Sequence, residues 1–332
     1  MERYNLATEL FSKKCFFKMV CGAGNEDPIE VRRLATIYSL AGCACLDVSA
    51  NPEVVLSAIE GIRIAKKIAN DMNKPLKFDP FVNVSVGLPG DPHVRKAEIS
   101  KITCVECMLC ISVCEQKAID DNLIVNEMKC IGCGKCADIC SQNCIQFTNK
   151  KVELTKILPK CIENGAEMIE LHAVSNDEES VFSDWIIIDS LIPDNYVSMC
   201  LDRSLLSDNA IKERINGIYQ ITGNRLIVQA DGAPMGGGDD TYNTTLQAVA
   251  TADIIQKLNL PIKILASGGT NSKTRDLADH CGVNIHGVSI GTYARKIVKK
   301  YIVSDDFDTD INIVLKSVYI AKELVKKSNK FE

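Results

Sequence analysis

The chain has 332 residues, 46% of them hydrophobic and 24% charged, with a formal net charge of −5 at pH 7. This composition is typical of a folded soluble protein. No apolar run approaches the roughly 18 residues of a membrane span, and the basic residues are spread along the chain, which argues against a transmembrane segment and a nucleic-acid partner. The first 20 residues lack the features of a signal peptide, so we expect a cytoplasmic location.

Short apolar runs alternate with helical patterns along the chain. The predicted strands, in chain order, are 16–21, 44–48, 81–86, 168–171, 196–201, 226–230, 262–266 and 288–290. Asp27-Pro28 and Asn51-Pro52 are typical helix starts, because a capping side chain precedes proline at the first helical position. Helices are also predicted near 155–164, where Pro159 interrupts the pattern, and at about 311–327 at the end of the chain.

Eight alternating strand and helix units predict an α/β fold, a (β/α)8 TIM-like barrel. The cysteine-rich segment after the third strand would then be an inserted α+β domain. We expect residues 1–95 to form the first part of the barrel, 96–153 the insert, and 154–332 the remainder with a closing helix.

The insert contains the motif C-x2-C-x2-C-x3-C twice, with starts 26 residues apart at Cys104 and Cys130. This spacing is typical of bacterial ferredoxins with two [4Fe–4S] clusters, in which the fourth cysteine of each motif binds the other cluster. The predicted ligand sets are Cys104, Cys107, Cys110 and Cys140 for one cluster, and Cys130, Cys133, Cys136 and Cys114 for the other.

Zinc is the alternative metal, but zinc ribbons use separated C-x2-C pairs and give the third cysteine no role. The proline that usually follows the fourth cysteine is replaced by Glu115 and Ser141, which leaves the cluster type open, including a [3Fe–4S] centre at one site. The other cysteines receive no ligand role and are interpreted as small buried residues; they are Cys15, Cys21, Cys43, Cys45, Cys144, Cys161, Cys200 and Cys281.

Strand alternation predicts which side chains point into the barrel. The inward set contains many polar residues: Lys18, Cys45, Asp47, Asn83, Ser85, Glu170, His172, Ser198, Asp202, Gln229 and Asp231. They predict either a liganded cavity near the C-terminal mouth or an internal network that satisfies itself, for example through Lys18 and Glu170.

Two glycine-containing turns follow the seventh and eighth strands. Barrels commonly bind a phosphate there through backbone N–H groups and a helix start. Gly268, Gly269, Thr270, Gly291 and Thr292 therefore form a candidate anion site, for a flavin or another phosphate-bearing ligand.

Three segments together resemble the light-dependent period proteins of cyanobacteria. They are the opening FFKMVCGAGNEDPIEVRRLATIYSLAGCACLDVSANPEVV, the ferredoxin module, and LIVQADGAPM. The resemblance implies an iron–sulfur protein that passes the redox state of photosynthetic electron flow, through quinone, to circadian clock proteins. It implies no catalytic residue.

The favoured hypothesis is therefore a non-enzymatic redox sensor or electron-transfer protein. The alternative is an oxidoreductase in which the clusters carry electrons to a flavin or a phosphate-bearing ligand in the barrel mouth. A third possibility is that the clusters only stabilise an insert too small to have an adequate core.

Overall fold

The computed structural model describes residues 2–88, 91, 94–148, 152–203, 206–233 and 238–330. Its strands are β1 (Phe16–Val20), β2 (Cys45–Ser49), β3 (Phe81–Gly87), β4 (Lys96–Ile99), β5 (Ile145–Thr148), β6 (Met168–His172), β7 (Val197–Leu201), β8 (Leu226–Asp231), β9 (Lys263–Ser267) and β10 (Gly287–Ile290). Its α-helices are α1 (Glu2–Ser12), α2 (Pro28–Ala41), α3 (Pro52–Asp71), α4 (Leu109–Ser112), α5 (Lys135–Asp138), α6 (Leu154–Glu163), α7 (Glu178–Leu191), α8 (Asp208–Thr222), α9 (Tyr242–Gln256), α10 (Thr274–His280), α11 (Thr292–Ile302) and α12 (Ile311–Ser328).

Eight parallel strands form a closed barrel, which confirms the predicted fold. Around the barrel the order is β1, β2, β3, β6, β7, β8, β9 and β10, and β10 pairs with β1 to close it. Each of these strands lies within one residue of its predicted bounds. Alternation between buried strands and amphipathic helices was therefore sufficient to predict the barrel.

The helix boundaries follow the capping chemistry of the sequence. The Asp27 carboxylate accepts hydrogen bonds from the backbone N–H groups of Ile29 and Glu30, and α2 ends at Gly42, whose φ of 89° lies in the left-handed region. The helix predicted near 155–164 is α6, which contains Pro159. Side chains of α6 reach the core between barrel and helices, since Leu158 and Cys161 are fully buried.

Helix α1, which no sequence pattern predicted, closes the N-terminal end of the barrel. Its residues Ala7, Leu10 and Phe11 pack with inward-facing apolar residues of the strands, including Phe16 and Tyr196. The lower part of the barrel interior is thus apolar. The predicted inward set, apart from Cys45 in this apolar layer, lies above it toward the C-terminal mouth.

The insert leaves the barrel after β3 and returns at α6. Strands β4 and β5 pair antiparallel, with Lys96 opposite Thr148 and Ile99 opposite Ile145. They cover a small core that includes Ala118, Leu123 and most of the motif cysteines. Among the residues described, no helix has the length and apolar character needed to cross a bilayer.

Candidate metal centres and barrel mouth

A buried ion network occupies the upper barrel interior. The Lys18 ammonium lies 2.5 Å from a Glu170 carboxylate oxygen and 3.6 Å from Asp47. Asn83 and Ser85 each donate a hydrogen bond of 2.6 Å to Asp47. The residues that strand alternation predicted to point inward therefore contact one another. Lys18 is paired with Glu170, as expected if the inward polar residues form an internal network.

His172 extends this network to the mouth. Its Nδ1 lies 2.9 Å from Asp91, and its Nε2 lies 3.2 Å from Glu170. Burial lowers the pKa of His172, but the two carboxylates outweigh burial and hold the pKa well above the usual value of histidine. Burial raises the pKa of Glu170, but Lys18 and His172 outweigh it and lower that pKa. His172 is therefore the protonated partner of two carboxylates.

The two predicted glycine turns lie together at the rim of the mouth. Gly268, Gly269, Thr270, Gly291 and Thr292 all line one cavity. Packing alone requires the first two glycines: a Cβ on Gly268 would overlap the Asp231 carboxylate, and a Cβ on Gly269 would overlap the Thr244 carbonyl. The Thr270 hydroxyl donates to the Ser289 carbonyl oxygen at 2.5 Å. The glycines therefore follow from the turn geometry and do not by themselves indicate a ligand.

We call this space the mouth cavity. It also contacts the network below, through Asp47, Glu170, His172, Cys200 and Asp231. Its volume is about 90 Å³, whereas pockets for drug-sized ligands are typically about 300 to 1,000 Å³. The cavity has room for a phosphate group or another small anion, but not for the ring system of a flavin.

Four of the predicted ligand cysteines line a cavity at the outer end of the insert, here called the distal quartet: Cys104, Cys107, Cys110 and Cys140. A fifth cysteine, Cys144, lines the same cavity, and its Sγ lies 3.3 Å from that of Cys140. Cys107 is exposed and Cys110 is buried. The fourth cysteine of the second motif thus lies with the first three cysteines of the first motif.

The other four line a cavity that faces the barrel, here called the proximal quartet: Cys114, Cys130, Cys133 and Cys136. Barrel residues complete its wall, among them Thr292, Arg295 and Lys299. The fourth cysteine of the first motif thus lies with the first three cysteines of the second motif.

The donor set in each quartet suits an iron–sulfur cluster. Burial raises the pKa of Cys136 to about 11, and the neighbouring thiolates of Cys133 and Cys130 add to the effect. Thiols that lie close together resist ionisation because the resulting thiolate charges repel one another. Coordinated iron ions would compensate this negative charge, since cysteine binds metals as the thiolate.

Lys96 joins the proximal quartet to the barrel. Its ammonium is buried and donates to three carbonyl oxygens, those of Gly24 at 2.6 Å, Glu127 at 2.7 Å and Cys130 at 2.9 Å. Gly24 belongs to the loop after β1, which lines the mouth cavity. One cation thus bonds both to a cysteine of the quartet and to a loop of the barrel mouth.

Three residues of these sites were not predicted from the sequence: Lys96, Cys144 and Arg295. No local pattern identifies Lys96 or Arg295, because their roles depend on contact between the insert and the barrel. Cys144 carried a weak signal, since it occupies the position of Ala118 in the first repeat.

Comparisons with known proteins agree with this architecture. The family model described as the light dependent period A C-terminal domain matches residues 161–327, and a 4Fe–4S binding domain model matches residues 123–146. The light dependent period A protein of Synechococcus elongatus is 29% identical over 295 residues, which cover 84% of this chain and 80% of that protein.

Two solved structures that match along nearly the whole chain share little sequence with it. The YdjI aldolase of Escherichia coli K12 is 8% identical, with a TM-score of 0.48 over 98% of this chain and 92% of that chain. Tryptophan synthase of M. tuberculosis is 8% identical, with a TM-score of 0.45 over 97% and 98% of the two chains.

Proposed function

Because this chain belongs to the light dependent period A family and contains a 4Fe–4S binding domain, we propose that it is a redox sensor with two [4Fe–4S] clusters. Its partners are circadian clock proteins, and the signal is the redox state of photosynthetic electron flow, delivered through quinone. The observation that carries the proposal is the meeting of the eight motif cysteines in two quartets with crossed membership.

The ligands are the eight cysteines of the distal and proximal quartets. When bound there, the clusters supply a reversible one-electron change. Backbone N–H groups point at the ligand sulfurs: Ala97 donates to Cys130 at 3.4 Å, and Ala118 donates to Cys114 at 3.3 Å. Such hydrogen bonds stabilise negative charge on sulfur and raise the reduction potential.

The two quartets have different tasks in this proposal. The distal quartet is the one with an exposed cysteine, Cys107, so electrons from outside enter there. The proximal quartet lies against the barrel, and reduction changes the charge of the cluster that it would hold. The Lys96 ammonium, which bonds to the Cys130 carbonyl, is exposed to that change in charge. Because Lys96 also holds the Gly24 carbonyl, that change acts on the loop after β1. The barrel thereby receives the redox signal without any catalysed reaction.

The decisive experiment is anaerobic purification followed by a combined optical and EPR redox titration. We expect two reducible centres, about eight iron atoms per chain, and no flavin absorbance. A zinc-loaded protein, or clusters that cannot be cycled at any accessible potential, would contradict the sensor and favour a purely structural role.

Crossed ligation can be tested with paired alanine variants based on Cys114. Cys114→Ala combined with Cys130→Ala should damage one centre only, because both thiols belong to the proximal quartet. Cys114→Ala combined with Cys104→Ala should damage both centres. The reverse result would mean that each motif holds its own metal.

The clock role requires a cellular test. A strain that lacks the protein should keep its rhythm but adjust the period less to light intensity, because a sensor modulates an oscillator that runs without it. An arrhythmic strain in constant light, or an unaltered period response, would count against the sensor.

A further inference from the structure

The mouth cavity contains buried polar atoms that lack a partner in the part of the chain described. Ser289, on β10, is only 1% exposed, and its hydroxyl forms no hydrogen bond. Arg295, on α11, has Nε and Nη1 atoms that are buried and equally without a partner. Native proteins pair nearly all such groups, and an unpaired donor costs free energy. Two donors on neighbouring elements therefore lie at the cavity without a hydrogen-bond acceptor among the described residues.

A third donor group lies at the same rim. Helix α11 begins at Thr292, directly after β10, and no side chain caps its N-terminus. Its first backbone N–H groups lack intrahelical acceptors, and the helix dipole favours negative charge at this end. The guanidinium, the hydroxyl and the helix start are all donors, which is the chemistry that binds an oxyanion.

The floor of the cavity has the opposite character. Glu170, His172 and Asp231 line it; Glu170 and His172 belong to the ion network, and Asp231 accepts a hydrogen bond from the Cys200 thiol. Carboxylates there would repel a second anionic group, but they accept hydrogen bonds from hydroxyls. A ligand that is anionic at one end and carries hydroxyls at the other matches both ends of the cavity.

We propose that the mouth cavity binds a small phosphorylated polyol, with its phosphate at Arg295, Ser289 and the start of α11. The volume of about 90 Å³ suits a ligand of this size. Gly268, Gly269, Thr270, Gly291 and Thr292 shape the rim, and Arg295 supplies the charge that those residues lack.

Arg295, Thr292 and Ile131 line both the mouth cavity and the cavity of the proximal quartet. A phosphate on Arg295 would therefore lie one side chain away from the proposed cluster. Its negative charge disfavours reduction, so ligand binding and reduction oppose each other. This coupling rests on the proposed cluster function, whereas ligand binding itself does not.

The test is calorimetric titration of the anaerobically purified full-length protein with glycerol 3-phosphate, inorganic phosphate and glycerol. We expect saturable binding of glycerol 3-phosphate, weaker binding of phosphate, and none of glycerol. Arg295→Gln should weaken binding roughly tenfold to hundredfold, the loss typical of a charge-assisted hydrogen bond. Ser289→Ala should weaken it less, and Lys300→Gln, an exposed cation on the same helix, should change nothing.

Absence of any saturable phosphate binding, or binding that survives Arg295→Gln in a folded variant, would overturn the site. Equal affinity for phosphate and glycerol 3-phosphate would overturn the ligand class. For the coupling, a ligand that binds ten times more weakly to the reduced protein lowers the potential of the proximal centre by about 59 mV. Unchanged potentials in a protein that binds the ligand would overturn the coupling alone.

Discussion

The thiol of Cys144 lies 3.3 Å from the thiol of Cys140, the crossed member of the distal quartet. The equivalent position beside Cys114 is Ala118, so the proximal quartet has no spare thiol there. The two halves of the repeat therefore differ in what happens when the fourth ligand is lost.

We expect Cys140→Ala to retain a distal four-iron centre, because Cys144 can take over as ligand after a small side-chain rotation. Cys140→Ala combined with Cys144→Ala should lose that centre or convert it to a three-iron species. EPR of the reduced and oxidised proteins distinguishes these states. Cys114→Ala is the matched control and should damage the proximal centre as a single variant. Equal damage by Cys140→Ala alone would show that Cys144 cannot replace it.

Lys96 should tune the proximal centre and hold the insert on the barrel. Lys96→Met removes a buried cation and leaves three carbonyl oxygens without their donor, which should lower the free energy of unfolding by about 3 kcal/mol. Loss of the positive charge should also lower the reduction potential of the proximal centre and leave the distal one almost unchanged. Redox titration and denaturant unfolding measure the two effects. Lys101→Met, at an exposed position in the same insert, is the control; a proximal potential that does not move would contradict the tuning role.

Lys18 should be essential to the buried network. Lys18→Met leaves the buried Asp47 without its cation and Glu170 with His172 alone, which should cost about 3 to 5 kcal/mol of stability. Adding Glu170→Gln to Lys18→Met should recover part of this loss, because one of the unpaired charges is then removed. Denaturant unfolding of the single and double variants gives the coupling energy. Strictly additive losses would mean that the pair does not interact.

Loss of the His172 proton as pH rises should lower the stability of the protein. Its pKa is raised in the folded protein, so between the unfolded value of about 6.5 and the folded value the native state binds more protons than the unfolded state. The free energy of unfolding should therefore decrease by up to about 1.4 kcal/mol per pH unit above pH 6.5. The buried Trp185 provides the fluorescence signal for unfolding.

The measurement should cover about pH 6.5 to 7.5, where cysteine thiols of the unfolded chain, with an ordinary pKa of about 8.5, are still mainly protonated. His286 gives an opposing slope that fades above pH 6.5, because burial lowers its folded pKa to about 4 and only its unfolded form still titrates at the lower edge of the window. His172→Gln should abolish the slope. A slope that persists in this variant would assign the pH dependence to another group.

The sequence by itself determined the barrel, the starts of α2 and α3 and the spacing of the eight motif cysteines. These depend on local rules: strand period, capping side chains such as Asp27, and cysteine spacing. Alternation also predicted the inward position of Lys18, Asp47 and Glu170, because successive side chains of a strand face opposite sides.

Only the tertiary structure decided how these parts meet. Strand period says that Lys18 points inward, but not that it pairs with Glu170 on a strand 152 residues away. Two features arise only where the insert meets the barrel: the hydrogen bonds of Lys96 to both parts, and the wall that the mouth cavity shares with the proximal quartet. Helix α1 was missed for the same reason, since its apolar face is stabilised by packing on the barrel end. Such contacts join segments that are distant in the chain, so no local pattern encodes them.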